Sequence, residues 1–257
     1  MVRPSGTDRL SATSAHTNMA IAAPATGPTP APMNVFSRFI GIITSPRATF
    51  ASVVTHPKWF VMYLLTAVIM AVFAALPMTT EAGKQAALDQ QVSATESFGI
   101  QVSDEAYEAM RQRMSIAPYT TAGSIIVFSI VVAAILAGIL WAIFNAAMGG
   151  DASYKQILAV LVHAGVISAL GQLFTGPINY FRGAVTSATS LGALLPMFEE
   201  TSFMGRLAGT IDIFIIWWLI VLSIGLAVLY RRKTQPIAIA LFAVYACIAL
   251  AIAAIMS

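Results

Sequence analysis

Charge is what this chain has least of. Asp, Glu, Lys and Arg together make up 10% of 257 residues, beside three histidines and one cysteine. A soluble domain carries roughly 25% charged residues, so an aqueous fold of this composition could not cover its apolar surface. The single cysteine, Cys247, excludes an intramolecular disulfide and a cysteine-based metal cluster. Lying within an apolar run, it reads as a small buried residue. The net charge of +3 is small and dispersed, which argues against nucleic acid as a partner. Chemical motifs are missing as well: there is no His-Glu-x-x-His zinc helix, no Gly-x-Ser-x-Gly nucleophile turn and no Gly-x-x-x-x-Gly-Lys-Ser/Thr phosphate loop. No enzymatic activity, cofactor or metal is expected.

Apolar sequence fills the space. Hydrophobic residues reach 58% and the mean hydropathy is +0.80. Five blocks, 59–77, 122–147, 157–177, 209–230 and 236–256, are free of charge apart from Asp212. A helix needs about 20 apolar residues to cross about 30 Å of hydrocarbon, and each block meets that length. The expected fold class is all-α, a polytopic transmembrane helical bundle of five spans with interfacial amphipathic N-terminal helices and a helical outer loop. Residues 34–257 are expected to form one membrane domain. Residues 1–33, rich in Ala, Thr, Ser and Pro with no periodic apolar face, are expected to be a disordered cytoplasmic tail. Segment 19–25 is too short and too weakly apolar for a signal peptide, so no cleavage is expected.

Lys and Arg set the orientation. With the N-terminus inside, Arg3, Arg9, Arg38, Arg47, Lys58, Lys155, Arg231, Arg232 and Lys233 fall on the cytoplasmic side. Lys84, Arg111, Arg113, Arg182 and Arg206 fall outside, diluted over two long loops. Nine against five favours N-terminus cytoplasmic and C-terminus outside, because Arg231, Arg232 and Lys233 sit directly against two span ends. A bacterial inner membrane is the expected host.

Between tail and first span, Val35, Phe36, Phe39, Ile40 and Ile43 recur at helical spacing. Ser45-Pro46 then opens a second piece bearing Phe50, Val53 and Val54. Arg38, Arg47 and Lys58 border these faces, as expected of helices lying among anionic headgroups. Packing against the cytoplasmic ends of the bundle is the compatible alternative. In the outer loop, 78–121, helices are expected over 81–91 and from Ser103 to about Met114, with a turn at Phe98-Gly99.

Small residues repeat every four positions within the spans: Ala67, Ala71 and Ala75; Ala134, Gly138 and Ala142; Ala164, Ser168 and Gln172. Such stripes let helix backbones approach. The link 231–235 forces a helical hairpin with Pro236 opening the last span. In the link between the second and third spans, Gly149 and Gly150 break the helix, Asp151 faces the cytoplasm and Ser153 caps the next helix.

Few polar residues are candidates for function. Asp212 is the foremost, since a carboxylate in a span is costly and functional by default. It reads either as a cap in the first turn of the fourth span, bonded to Gln172, Asn179 or Arg182, or as an ion or ligand contact. His163 reads as an interhelical hydrogen-bonding residue and Asn145 as a helix tie. Ser168, His163 and Asp212 do not make a catalytic triad, because His163 lies toward the cytoplasmic side and Asp212 toward the outer end.

Three pieces taken together carry a resemblance: SRFIGIITSPRATFASVVTHPKW before the first span, GGDASYKQILAVLVHAG at the hairpin and TIDIFIIWWLIVLSIGLAVL in the fourth span. In their order and spacing the chain resembles the Yip domain (Ypt-interacting protein) family of five-span membrane proteins, in particular its bacterial members, over residues 34–256. The resemblance implies that fold, that topology and a non-catalytic role in a membrane. Eukaryotic relatives act in traffic between endoplasmic reticulum and Golgi and bind Rab-type GTPases through a cytosolic N-terminal region, whereas the tail here is short and has no matching acidic or apolar motif.

Two functions are expected to compete. One is a membrane-organising scaffold or adaptor whose partners are the bilayer and other membrane proteins or a second copy. The other is a transporter or channel component, a permease subunit, with a polar site near Asp212. A small-molecule substrate is not expected. The orientation has a direct check: a tag on Ser257 should be labelled only from outside sealed cells, and labelling from the cytoplasmic face would reverse the assignment.

Overall fold

Asn34 starts the helical part of the chain in the computed structural model, which describes residues 32–147, 149–195, 197 and 202–255. All but the last two residues of the expected disordered tail, 1–33, lie outside the described residues. The Asn34 side chain accepts the Ser37 amide at 2.7 Å and caps α1 (Val35–Thr44). Pro46 opens α2 (Pro46–Thr55) as expected, but the Ser45 hydroxyl makes no capping bond. Its φ of −147° and ψ of 61° lie outside the extended geometry of an N-cap, and its carbonyl instead accepts the Thr49 hydroxyl at 3.0 Å.

The apolar α3 (Phe60–Ala75) ends in a 3-10 turn, Pro77–Thr79, after which Thr80 caps α4 (Glu81–Ser97). Gly99, at φ +78°, reverses the chain, and Ser103 caps α5 (Asp104–Arg113). This is the helical hairpin expected over 78–121. Gln85 on α4 bonds the Tyr107 hydroxyl on α5 at 3.2 Å, and both ion pairs of the described residues, Lys84–Glu81 and Arg111–Glu108, lie on its surface. The long α6 (Ala117–Trp141) widens into a π-helical turn, Ala142–Ala147. A complete capping box between Ser153 and Gln156 starts α7 (Tyr154–Arg182), and Gly183 at φ +60° ends it. Then come α8 (Leu191–Leu194), α9 (Phe203–Thr210), α10 (Ile213–Leu229) and α11 (Thr234–Ile255).

Fold class follows the sequence: the described residues are helical, with no strand among them and a single isolated bridge, Ser190 to Asp212. Three stretches are long and apolar enough to cross a membrane, 104–146, 154–182 and 234–254; α3 and α10, at 16 and 17 residues, are shorter. The fourth apolar block is not one helix. Residues 209 and 210 end α9, Ile211 is extended, and Asp212 stands before α10 as its N-cap rather than in its first turn.

Hydropathy alone does not rank the spans, but packing does. Within their apolar windows α7 is 67% buried, α6 11% and α11 17%. The middle helix is therefore α7, touched by α1, α2, α3, α6 and α10. Its neighbours come close at glycines, but not always where the four-residue stripes predict. Ala67, Ala71 and Ala75 are buried as expected. Gly138 meets nothing within 4 Å, and α6 turns Ala137 and Leu140 inward instead, as the π-helical turn does Phe144. On α7 the closest approaches fall at Gly171, where a Cβ would stand 2.9 Å from Phe214, and Gly176, where it would stand 2.4 Å from the Phe73 carbonyl. Ser168 and Gln172 line a cavity. Cys247 is exposed rather than buried, because it lies on the outward side of the peripheral helix α11.

The lead-in helices also depart from a purely interfacial role. Ile42, Phe50 and Val53 are fully buried, and Phe50 reaches Gly225 of α10 at the point where Val160 of α7 meets it. The far side of α1, with Phe36 and Ile40, is exposed, as is Arg47 on α2. Gly176→Ala is expected to lower thermal stability by about 1–3 kcal/mol through overpacking against backbone. Gly138→Ala should leave stability unchanged or raise it by up to about 1 kcal/mol. Melting both variants in one detergent checks the opposite signs.

Candidate functional site

Asp212 is built into a junction between two chain segments. After Gly183 the chain runs through the polar stretch 186–190 and pairs with the residues before α10: the Leu191 amide donates to the Ile211 carbonyl at 2.7 Å, beside the Ser190–Asp212 bridge. The extended backbone aims the Asp212 carboxylate at three donors. Oδ1 accepts the Phe214 amide at 2.8 Å, and Oδ2 accepts the Ser187 hydroxyl at 2.5 Å and the Thr189 hydroxyl at 2.7 Å. Asp212 is therefore a cap and a loop tie at once. Bonds of this kind to a charged group contribute about 1.5–3 kcal/mol each. The expected partners Gln172, Asn179 and Arg182 make none of them; the hydroxyls of Ser187 and Thr189 do, because the turn at Gly183 brings segment 186–190 back over α10. The sequence signal was the run of hydroxyl residues between two apolar blocks.

A cavity of about 420 Å³ opens beside this junction, between α7, α10 and α11. Asp212, Ser187, Thr189, Gln172, Thr175 and Ser168 form its polar side, and Ile215, Ile248 and Ile252 its apolar side. Tyr245 on α11 also lines it and donates to the Thr210 carbonyl. A smaller cavity of about 140 Å³ lies against α3 and shares Gln172, Thr175 and Ser187 with the first. Asn179 lines the smaller one, and its Oδ1 has no hydrogen-bond partner within the protein although the residue is 8% exposed. Among the described residues no three His, Cys, Asp or Glu stand close enough together to hold a metal.

His163 lies elsewhere, in the N-terminal half of α7, fully buried. The expected interhelical bond does not form. Its Nδ1 bonds the Ala159 carbonyl of its own helix at 2.7 Å, and Nε2 has no partner within the protein. That assigns the proton to Nδ1 as donor. Arg38 stands within electrostatic reach of it. Arg38 was expected at the membrane surface with the other basic residues, yet it is 3% exposed. Its Nη2 donates to the carbonyl of His56, the C-cap of α2, at 3.1 Å, where a cation suits the helix dipole. Burial pushes the guanidinium below its ordinary value. Arg47, Lys58, Arg231, Arg232 and Lys233 are exposed.

The hairpin residues converge at the N-terminal end of α7. Gly149 adopts φ +68°, and the Gly150 amide donates to the Phe144 carbonyl at 2.9 Å. A Cβ at Gly150 would stand 2.6 Å from the Tyr230 ring. Asn145 is the expected tie: its amide donates to the Ala152 carbonyl at 2.5 Å and its Oδ1 accepts the Tyr230 hydroxyl at 2.9 Å, while Phe144 stacks on Tyr230 at 4.6 Å. Asp151 is exposed, and Ser153 caps as expected. Gln156 completes the cap and also donates to the Val54 carbonyl of α2 at 3.1 Å. Tyr230→Phe should cost about 0.5–1.5 kcal/mol and should cost nothing further in an Asn145→Ala background. A double-mutant cycle by thermal unfolding reads this, and additive losses would disprove the bond.

The region that holds these features is also the region of known likeness. The family model of the Yip1 domain matches residues 40–256, from within α1 to just past α11. The chain is 27% identical over 197 residues to membrane protein YknW of Bacillus subtilis (strain 168), an alignment covering 72% of this chain and 75% of that protein. No solved structure matches. Of the three pieces that suggested the resemblance, the hairpin and the fourth apolar block fall inside the match and the lead-in falls inside it from Ile40 onward, and the chain belongs to the Yip1 domain family of membrane proteins.

Proposed function

We propose that this protein is a non-catalytic scaffold or adaptor that organises a bacterial inner membrane. It crosses that membrane five times as one domain, 34–257, with N-terminus cytoplasmic and C-terminus outside. The observation that carries the reading is the uncovered apolar surface of two long helices. Val127, Phe128 and Ile135 on α6, and Ile239, Val244 and Ile252 on α11, are exposed, and no other element among the described residues covers them. Lipid covers part of such a surface, and helices of another membrane protein or of a second copy cover the rest.

The use of polar groups supports the same reading. Asp212 has three donors from its own chain and Asn145 ties the hairpin to the end of α10, so both groups serve assembly of the bundle. The orientation is supported by charge. Arg47, Lys58, Arg231, Arg232 and Lys233 are exposed at the end where Gln156 meets Val54 and Asn145 meets Tyr230. The shorter helices α3 and α10 cross with locally thinned bilayer and flanking aromatic anchors, Trp59 and Tyr230.

The cavity beside Asp212 favours a second reading, a permease or channel component. Reconstitution separates the two. Purified protein in liposomes should pass no ion or small solute above the protein-free rate, and Asp212→Asn should lower the unfolding temperature, with a loss of about 1–3 kcal/mol. Solute flux that Asp212→Asn abolishes would overturn the scaffold in favour of the permease.

A further inference from the structure

Hydrogen-bond acceptors without a matching cation collect at the outer end of α7. Asp212 is 7% exposed, and no Lys, Arg or His nitrogen stands within 4 Å of it among the described residues, whose ion pairs both lie on the outer hairpin. Its three neutral donors stabilise the carboxylate but leave its charge in place, and a buried charge is costly until it is paired. Ser187 and Thr189 each have one hydroxyl hydrogen, and both are directed to Asp212 Oδ2. What these two hydroxyls can still offer the cavity is lone pairs, one of those on Ser187 Oγ being taken by the Thr189 amide at 3.3 Å. Across the residues shared by the two cavities, Asn179 Oδ1 is a further buried acceptor with no partner within the protein.

The opposite side of the cavity has a different chemistry. Ile215, Ile248 and Ile252 line it and are themselves exposed, at 39%, 53% and 41%. In a bilayer this rim faces acyl chains. A polar floor around one negative charge, with the Gln172 amide and the Ser168 hydroxyl beside it, an apolar rim open sideways and a volume of about 420 Å³ together define the ligand class: a cationic N–H donor carried on an apolar chain.

We propose that the cavity seats a primary ammonium group on an amphiphile, phosphatidylethanolamine being the form the bilayer supplies. The N–H donors meet the Asp212 carboxylate and the lone pairs of Ser187 and Thr189, the charge cancels that of Asp212 through charge-assisted hydrogen bonds, and the chain leaves along Ile215, Ile248 and Ile252. Phosphatidylcholine has the charge but no N–H, and phosphatidylglycerol lacks the cation. The seat holds for a scaffold and a permease alike, and its test involves no gradient, so its failure is separate from failure in the flux measurement.

The experiment is native mass spectrometry of the delipidated full-length protein, titrated in detergent with phosphatidylethanolamine, phosphatidylcholine and phosphatidylglycerol of identical chains. Phosphatidylethanolamine should be retained about tenfold more than the other two, the size of effect expected from charge-assisted hydrogen bonds. Asp212→Asn should reduce it to the phosphatidylcholine level. Because Asp212 also ties the fold, Ser168→Phe is the second variant: it fills the cavity from a residue that makes no bond to Asp212, and it should reduce retention equally with helicity unchanged. Displacement by free ethanolamine would support the ammonium seat with a soluble source. Equal retention of phosphatidylethanolamine and phosphatidylcholine, retention untouched by Ser168→Phe, or displacement by sodium ion alone would overturn the proposal.

Discussion

Everything in this molecule depends on how closely other backbones approach α7. Inside a bilayer no hydrophobic force draws one helix to another, since lipid tails are as apolar as leucine. What remains is contact, and contact at short range needs the absence of a side chain. Gly176 admits the α3 backbone at Phe73, Gly171 admits Phe214 of α10, and Gly225 admits both Val160 of α7 and Phe50 of α2. These contacts fix the tilt and height of α3 and α10 relative to α7, and with them the place of every polar group at the helix ends.

The Gly171–Phe214 contact shows how packing produces chemistry. Phe214 is the residue whose amide Asp212 caps, so seating Phe214 on α7 also sets Asp212 above the C-terminal half of that helix, opposite Gln172 and Thr175. The loop 186–190 then closes over the carboxylate. At the other end the Gly225 contact lowers α10 onto α2 and α7, and Tyr230 arrives beside Gly150 and Asn145. The two polar ends are thus consequences of one apolar middle.

Much of this was legible in the residues, for identifiable reasons. Hydropathy marks the apolar blocks because their signal is composition. Caps such as Ser103 and Ser153 were visible because their bonds are local, within three residues. Position in the bundle was not visible: α6, α7 and α11 are all apolar, and only the contacts show that α7 is central and that Cys247 faces outward. The four-residue stripes failed on α6 for the same reason, since a small residue permits close approach without commanding it. Arg38 misled because it borders an apolar face in sequence, while the turn at Ser45 folds α2 back and puts the His56 carbonyl within its reach. Ser187 and Thr189 lie about 25 residues before their partner in the chain, a long-range pairing that no local pattern encodes.

The same asymmetry between local and long-range determinants bears on where function can vary. The apolar middle tolerates exchange of one large apolar residue for another of similar volume, but it does not tolerate a side chain at Gly171, Gly176 or Gly225. The loop over Asp212 is the reverse case: its backbone pairing holds it in place, so the side chains it presents can change without loss of the bundle. A chain built this way can keep its fold while the cavity between α7, α10 and α11 changes its polar lining. Chemistry specific to one relative is then to be sought in the residues around Asp212 rather than along the faces that pack on α7.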